Sequence, residues 1–378
     1  MDRNEEIDLV LRCMAHLRDG STQMTAEDET VPASRYIDPA TFAREHEGVF
    51  RRTPAIVAHV SELAEPGAFV SGDLHGTPVL VARDRDGRVQ AFVNSCRHRG
   101  TRVVAAVCGT ADAFVCPYHG WTYRLDGALR AVPSAHGFPR LDRESNGLLP
   151  LPTQVRHGFV WCAPQPEGPF ALDELLAPVA SDLEALGLER LVAYRPVARD
   201  WRANWKLVVE GGLEAYHFRV THARTIAPYF PDNVAIVDEL GPHLRAALPR
   251  RSLTGLEGTD RESWRLRDHV HVVYNLFPST ALLVQADHVA WFDMRPLAVD
   301  RTAITFRMLV PGDLDDDARA HWDRNHEITR TTLFEDWTMA EEIQAGLTGG
   351  ASPSVRFGRF EGALARYRSL LEARLGHR

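Results

Sequence analysis

The chain has 378 residues, 44% of them hydrophobic, so it can bury enough apolar surface for two compact domains. Its formal net charge of −8 argues against a basic surface that binds nucleic-acid phosphates or anionic membranes. Five cysteines are too few for a disulfide framework in so long a chain, which favours a reducing compartment. The acidic start, "MDRNEEIDLVLRCMAHL", lacks the basic and apolar regions of a signal peptide, so we expect a cytoplasmic protein.

The first half of the chain changes from helical to β patterning. Residues 1–45 are predicted to form an N-terminal helical segment, in which a helix and a short helix flank a Pro-containing link. From about 54 to 165, short apolar runs such as "AFVSGDL" and "RVQAFVNS" are separated by turn sequences such as "DRDGR". This alternation predicts a mostly β domain, and the Pro- and Gly-rich "CAPQPEGPF" that ends it is typical of a linker.

The second half is predicted to be α+β. Helical periodicity in "ALDELLAPVASDLEALGL" is followed by strands, such as "HVVYNLFPSTALLVQ" and "TAITFRMLVP", and by one helical segment at about 204–222. A long helix is expected over about 314–347, and "GALARYRSLLEARL" is expected to form a closing helix. Long helices against an antiparallel sheet give an α+β domain.

The stretch "CRHRGTRVVAAVCGTADAFVCPYHGW" contains two Cys/His pairs with metal-ligand spacing. Cys96 and His98 form a C-x-H pair, and Cys116 and His119 form a C-x-x-H pair. Such ligands suit one zinc ion held by all four residues, or a Rieske centre with two cysteines on one iron and two histidines on the other. Two loops that each supply one Cys and one His favour the second arrangement. Cys108 has no histidine partner and is expected to be a small buried apolar residue.

A second candidate site lies in "NWKLVVEGGLEAYHFRVTH", where His217 and His222 are five residues apart. On an ideal helix their side chains point about 140° apart, so the helix must bend or end at or after Phe218 for both to reach one ion. Two histidines and one carboxylate form the facial triad of non-haem Fe(II) oxygenases, which leaves positions open for dioxygen and substrate. An ordinary pair of core or surface histidines is the alternative.

The third ligand is sought in the long C-terminal helix. In "TTLFEDWTMAEEIQAGL", Asp336 falls on an apolar stripe at helical spacing, whereas Glu335 lies off it; the other members of the stripe are Thr329, Leu333, Ala340, Ile343 and Leu347. A carboxylate on a buried face must be paired or bound to metal. Asp336 is therefore the predicted ligand, and a salt-bridged core acid is the alternative.

Both stretches resemble one known family. C-x-H-R-G, "CPYHGWTY" and "LDG" resemble a Rieske [2Fe–2S] domain, and N-W-K with E-x-x-x-E-x-Y-H-x-x-x-x-H is similar to the catalytic motif of Rieske oxygenase large subunits. Over nearly its whole length the chain resembles the α (oxygenase) component of Rieske non-haem iron oxygenases. The resemblance implies a Rieske domain at 46–165 and a helix-grip (START/SRPBCC-like) catalytic domain at 166–378, on which the segment 1–45 packs.

The resemblance also implies the roles of individual residues. The [2Fe–2S] cluster is bound by Cys96, His98, Cys116 and His119, and a mononuclear Fe(II) by His217, His222 and Asp336. Glu214, where the family usually has Asp, lies three residues before His217 on the same predicted helical face. By resemblance it joins His119 of one subunit to His217 of the next, in a homotrimer. Gly211 and Gly212 replace a common Asn.

The implied reaction is mono- or dioxygenation, hydroxylation or demethylation of a small organic substrate. The chain lacks G-x-G-x-x-G after a strand, so electrons from NAD(P)H are expected through a separate flavin/iron–sulfur reductase, with or without a ferredoxin. An apolar pocket at Tyr274, Phe277, Leu283 and Trp291 suits an aromatic ring or a methyl group. Glu214 and the chain length also suit choline-, carnitine- or betaine-type quaternary ammonium substrates. The alternatives from other classes are a Rieske electron carrier and a zinc-stapled helix-grip binding module.

Overall fold

The computed structural model describes residues 1–312 and 314–376. Within them lie ten α-helices: α1 Arg3–Asp19, α2 Ser34–Ile37, α3 Pro39–Glu45, α4 Leu172–Leu176, α5 Ala180–Leu186, α6 Trp205–Gly211, α7 Phe218–Thr221, α8 Leu266–His269, α9 Asp316–Thr348 and α10 Gly362–Arg374. None of the helices in this described part is long and apolar enough to cross a lipid bilayer.

Twenty strands lie within the same described residues: β1 Glu29–Pro32, β2 Ala55–His59, β3 Ala68–Leu74, β4 Thr77–Arg83, β5 Val89–Val93, β6 Cys108–Thr110, β7 Phe114–Val115, β8 Thr122–Tyr123, β9 Leu129–Ala131, β10 Pro150–Leu151, β11 Thr153–Arg156, β12 Phe159–Cys162, β13 Leu191–Trp201, β14 Ile236–Leu240, β15 His243–Pro249, β16 Val270–Leu276, β17 Thr280–Val284, β18 Val289–Ala298, β19 Arg301–Pro311 and β20 Ser354–Phe357. Antiparallel sheets together with long helices confirm the α+β prediction.

The chain divides into two compact units. The smaller contains Phe50–Asp173 and Gly187–Val192, and the larger contains Met1–Val49, Glu174–Leu186 and Ala193–Arg378. These limits differ by a few residues from the predicted 46–165 and 166–378. One reason is that the chain returns to the smaller unit after residue 186, where the buried His59 ring lies 3.1 Å from the Leu188 carbonyl oxygen.

The smaller unit is mostly β, as predicted. It contains a five-stranded sheet in the order β10-β5-β4-β3-β6 and two three-stranded sheets, β11-β12-β2 and β7-β8-β9. In β4 both faces are buried: Leu80 and Ala82 pack into one hydrophobic cluster, whereas Val79 and Val81 pack into another. Burial on both faces explains why this strand is a continuous apolar run instead of an alternating one. The first of these clusters also contains two cysteines, Cys96 and Cys116.

A seven-stranded sheet forms the larger unit, in the order β13-β19-β18-β17-β16-β15-β14. From β14 to β19 each strand pairs antiparallel with the next one in sequence, so this part is a simple meander. The long helix α9 contacts β19 and α6, and it is capped by Asp315, whose carboxylate accepts from the Ala318 N–H. The prediction of an antiparallel sheet with a long C-terminal helix is therefore confirmed.

The N-W-K motif anchors α6 inside the larger unit. Asn204 caps the helix by accepting from the Lys206 N–H, and its amide donates to the carbonyl oxygens of Tyr36 and Val299. Lys206 is the only lysine of the chain, is fully buried, and donates to Glu45. Burial lowers the pKa of Lys206 to about 8, although the Glu45 carboxylate opposes that effect. Asn204 and Lys206 bind Tyr36 and Glu45, which belong to the N-terminal segment. This segment therefore fixes α6, the helix that leads to the second candidate site.

Candidate metal centres

Two loops of the smaller unit, residues 96–101 and 116–121, have the same backbone hydrogen bonds; we call them the cluster loops. In each, the cysteine N–H donates to the carbonyl oxygen five residues later, and the cysteine carbonyl accepts from the glycine N–H four residues later. Gly100 and Gly120 have φ of 80° and 73°, a region that residues with a side chain rarely adopt. The sequence therefore folds two equivalent turns, each presenting one Cys and one His.

The cluster loops bring the four predicted ligands together. Cys96 and Cys116 are 3% and 2% exposed and form no disulfide, whereas His119 is exposed. The Nδ1 atoms of His98 and His119 lie 3.1 Å apart, so the two rings converge. Two buried thiols and two imidazoles nearer the surface fit a [2Fe–2S] cluster whose histidine-bound iron faces outward. That each of these residues is a ligand stays a prediction.

Tyr123 adds a contact that the sequence analysis did not assign. Its hydroxyl accepts from the Arg97 N–H at 2.9 Å and lies 3.3 Å from the sulfur of Cys96. With its acceptor side occupied, the hydroxyl hydrogen can be donated to the sulfur. A hydrogen bond to a ligand sulfur raises the reduction potential of a cluster. The sequence did contain a signal for this contact, because Tyr123 is the last residue of the "CPYHGWTY" motif.

The prediction that Cys108 is buried was wrong. Cys108 is exposed at the start of β6, and β6 lies at the edge of the five-stranded sheet with β3 as its only strand partner among the described residues. All three residues of this short edge strand are exposed, which its residue types do not reveal.

The second candidate site begins where a helix breaks. The expected helical segment at 204–222 is two helices, α6 and α7, separated by residues 212–217. The break follows Gly211 and Gly212, which stabilise a helix poorly. The main break therefore lies earlier than the predicted bend at or after Phe218, although α7 does end at Thr221, between the two histidines. His217 and His222 thus stand just outside the two ends of a single helical turn.

His217, His222 and Asp336, which we call the triad, converge on one point. The Oδ1 atom of Asp336 lies 3.2 Å from His217 Nε2 and 2.8 Å from His222 Nε2, and the two Nε2 atoms are 3.2 Å apart. Among the described residues, this is the one group of three such side chains whose ligand atoms all lie within 4.8 Å of one another. Its composition fits the facial triad of a mononuclear iron site.

Each triad histidine is hydrogen-bonded at its Nδ1 atom by a carboxylate. Glu214 accepts from the Nδ1 of His217 across a tight turn, and not along the helical face that the sequence predicts. Glu335 Oε2 lies 2.7 Å from His222 Nδ1 and also accepts from the Thr225 hydroxyl. Carboxylate bonds at Nδ1 fix the tautomer, so that each Nε2 is free to bind a metal.

The charge balance of the site favours a cation. Three carboxylates, from Glu214, Glu335 and Asp336, surround two imidazoles. Burial lowers the pKa of His217, but hydrogen bonds to Asp336 and Glu214 outweigh burial and raise the pKa to about 10. The His222 pKa is raised in the same way. A site that attracts positive charge so strongly suits a divalent metal ion.

Glu335 is the residue that the sequence analysis missed. The stripe on α9 was assigned one position off along part of its length, since Ile343 is 46% exposed and Gln344 is buried. Glu335 and Asp336 therefore both lie at the margin of the buried face of α9, where each can contact the triad histidines. The adjacent acids in "FEDW" were the available signal.

We predict that Glu335→Ala weakens iron retention at the triad by about ten- to a hundredfold, because His222 loses the acceptor that orients its ring. Dialysis against graded chelator, followed by iron quantitation, measures the effect. Glu342→Ala, which removes an exposed acid from the same helix, is the matched control. Equal retention in the two variants would contradict an orienting role for Glu335.

A cavity of about 120 Å³ opens beside the triad. One wall is the seven-stranded sheet, which contributes residues of four strands, β15 to β18, among them Leu248, His271, Val273, Asn275, Leu283, Phe292 and Met294. The rings of Phe218, Phe230 and Trp337 line it elsewhere. No lysine or arginine is among the described residues of the lining, and burial lowers the pKa of His271 to about 3, so this histidine is neutral.

Of the four predicted pocket residues, the structure places only Leu283 in this lining. Tyr274 lies between two lining residues of β16 and points to the other face, where it hydrogen-bonds Asp182. Trp291 is also on that face, with the Arg307 guanidinium 4.5 Å above its ring. Phe277 is buried beyond the end of β16. For Tyr274 and Trp291 the correction is one of strand parity, because successive side chains point to opposite faces.

Comparison with known families decides between the alternatives. The profile of the ring-hydroxylating α subunit (catalytic domain) matches residues 188–376, and that of the Rieske [2Fe–2S] domain matches residues 53–143. The chain belongs to the Rieske oxygenase α-subunit family. It is therefore an oxidoreductase with a Rieske [2Fe–2S] domain and the catalytic domain of mononuclear iron oxygenases. The zinc module and the simple electron carrier are no longer tenable.

One relative and two solved structures illustrate what this Rieske oxygenase α subunit is similar to. The glycine betaine monooxygenase oxygenase subunit of Pseudomonas aeruginosa is 27% identical over 361 residues, covering 85% of this chain and 83% of the relative. A structure of the quaternary ammonium Rieske monooxygenase CntA has a TM-score of 0.79 at 23% identity, over 91% of this chain and 95% of CntA. Naphthalene 1,2-dioxygenase from Rhodococcus sp. has a TM-score of 0.75 at 19% identity, over 98% of both chains.

Proposed function

We propose that the cluster loops hold the [2Fe–2S] cluster and that the triad holds the mononuclear iron of this α subunit. The observation that carries the proposal is the convergence of the triad on one point beside an apolar cavity. A separate NAD(P)H-dependent reductase would supply the electrons, since the chain lacks a nucleotide-binding glycine motif.

The residues around the triad have defined tasks in this proposal. Glu214 and Glu335 hold the two imidazoles with Nε2 inward, so that the ligands are already arranged for a metal. Iron held by the triad would supply the activation of dioxygen beside the cavity. The apolar residues of the cavity wall disfavour water beside the iron site, which limits side reactions there.

We infer a neutral, mainly apolar substrate about the size of one ring. A cavity of about 120 Å³ is close to an engineered apolar cavity of about 150 Å³ that takes up benzene. A carboxylate-bearing substrate such as a betaine would require a cation in the pocket, because an unpaired buried charge is costly. The described lining offers none, and His271 is neutral. Hydroxylation of a ring or oxidation of an N- or O-methyl group is the reaction that fits.

A quaternary ammonium substrate is the second candidate. The aromatic rings of the cavity, including Phe218, Phe230 and Trp337, can attract such a cation through their faces. The similarity to a glycine betaine monooxygenase subunit and the presence of Glu instead of Asp at 214 point in the same direction.

Reductase-coupled dioxygen consumption, with mass analysis of the products, distinguishes these substrates. We expect the iron-loaded enzyme to oxygenate toluene or aniline and to leave glycine betaine and L-carnitine unchanged. Turnover of the two zwitterions alone would overturn the neutral-substrate proposal in favour of the second candidate. Product carrying one or two atoms of labelled dioxygen then separates monooxygenation from dioxygenation.

We further propose that the subunits form a homotrimer in which Glu214 connects His119 of one subunit to His217 of the next. The CntA work describes inter-subunit electron transfer in that protein. In this chain Glu214 already accepts from the ring of His217, and His119 is exposed and available for such a contact. Light scattering in solution measures the number of subunits.

Glu214→Gln is expected to slow reoxidation of the reduced cluster by at least about tenfold while both metals are retained, because the charged bridge between the two histidines is lost. Single-turnover absorbance changes with substrate and dioxygen report this rate directly. Asp232→Asn, which removes an exposed acid paired with Arg219 in the same region, is the control. An unchanged reoxidation rate in Glu214→Gln would rule out the bridge.

A further inference from the structure

One polar group in the cavity wall has no partner. The side chain of Asn275 on β16 is 2% exposed and lines the cavity, and its Oδ1 makes no hydrogen bond to any residue that the structure describes. Buried amide oxygens are nearly always paired, because leaving one unpaired after removing it from water is costly. A group of this kind inside a substrate cavity is expected to find its partner in the ligand or in water.

The neighbours of Asn275 cannot satisfy it. Ala281 pairs with it across β17, and Val273 is the next residue of its strand on the same face; both side chains are apolar. Phe292 and Met294 continue the wall on β18. Of the nearby polar residues, His271 lies four positions away along the strand and makes no bond to the amide in the structure. The side chains that adjoin the amide on this wall are therefore apolar.

We propose that Asn275 is a specificity-determining residue whose amide oxygen accepts a hydrogen bond from an N–H or O–H group of the substrate. This inference rests on the proposed function and narrows the substrate class to neutral ring-sized compounds with one such donor, as in aromatic amines and phenols. The donor pairs with the wall, and the apolar remainder of the molecule lies in the cavity beside the triad. The polar contact therefore selects which carbon or methyl group faces the iron site.

An isosteric ligand without a donor leaves the Asn275 oxygen unpaired and also displaces any water that served it. Discrimination of this origin is about ten- to a hundredfold in affinity. Aniline and toluene form a suitable pair, because an amino group and a methyl group are similar in size and only the amino group donates. Aniline is also uncharged at neutral pH, so cation–π attraction to the aromatic rings does not confuse the comparison.

The test is calorimetric titration of the anaerobic, iron-loaded enzyme with aniline and with toluene, before any turnover. We expect the wild type to bind aniline about ten- to a hundredfold more tightly than toluene, and Asn275→Leu to abolish or reverse that preference. The melting temperature of Asn275→Leu without ligand is expected to be unchanged or higher, because an unpaired buried acceptor has been removed. Val273→Ala, an apolar change on the same strand face, should weaken both ligands equally.

An aniline preference that survives in Asn275→Leu would overturn the inference. If the melting temperature of that variant also falls, Asn275 is a structural residue instead. Because binding is measured without reductase or dioxygen, its outcome is separate from that of the turnover assay. The enzyme could turn over glycine betaine and still bind aniline more tightly than toluene through Asn275. That result would overturn the neutral-substrate proposal and retain the polar contact.

Discussion

Asp336→Ala is expected to abolish oxygenation and to lower the iron content from about three to about two atoms per chain, while the visible spectrum of the cluster persists. The reason is geometric, because Asp336 Oδ1 lies within 3.2 Å of both triad Nε2 atoms and no other side chain completes the group among the described residues. Two imidazoles alone bind Fe(II) too weakly to survive purification. Iron quantitation and absorbance on the same sample provide the measurement.

The control for this variant is Glu342→Ala, on the exposed side of the same helix. It should keep about three iron atoms per chain and its activity. If Asp336→Ala retained the third iron, the triad would not be the mononuclear site, and Glu214 or Glu335 would have to be considered as the ligand.

Cys116→Ser is expected to remove the [2Fe–2S] cluster, leaving about one iron atom per chain and a colourless protein. Cys116 is buried in the hydrophobic cluster beside Phe114 and Trp121, so loss of the bound cluster also leaves a poorly filled core. We therefore expect the β-rich unit to unfold at a lower temperature, by several degrees for a loss of about 2 kcal/mol. Absorbance and calorimetry follow the two effects separately.

Cys108→Ser is a close control, because it makes the same atomic change eight residues away at an exposed site. It should leave colour, iron content and melting temperature unaltered. A coloured Cys116→Ser protein would show that the four residues of the cluster loops are not all ligands.

The cluster loops could be predicted from the sequence because all their determinants are local. Each turn is closed by backbone bonds within six residues and by a glycine with positive φ, and its cysteine and histidine are at most three positions apart. The placement of Cys108 could not be predicted in this way, since its exposure depends on whether another strand covers β6.

The triad was harder to derive because its parts are distant in the chain. Asp336 was reached through the periodicity of α9, but a helical stripe defines an angular position only to within about one residue. Glu335 contacts His222 and Thr225 from more than a hundred positions away, and only the tertiary fold reveals that contact. Strand parity had the same limitation, because an apolar run such as that around Tyr274 and Trp291 does not indicate which face meets the cavity.

The buried ion pair of Lys206 and Glu45 has a practical consequence. The chain contains a single lysine, Lys206, which is fully buried. Acylating reagents and amine cross-linkers therefore find no lysine target on the surface of the folded subunit. Acylation of Lys206 would therefore show that its buried ion pair with Glu45 had opened. Attachment of the enzyme to a surface would need an added lysine or the thiol of Cys108.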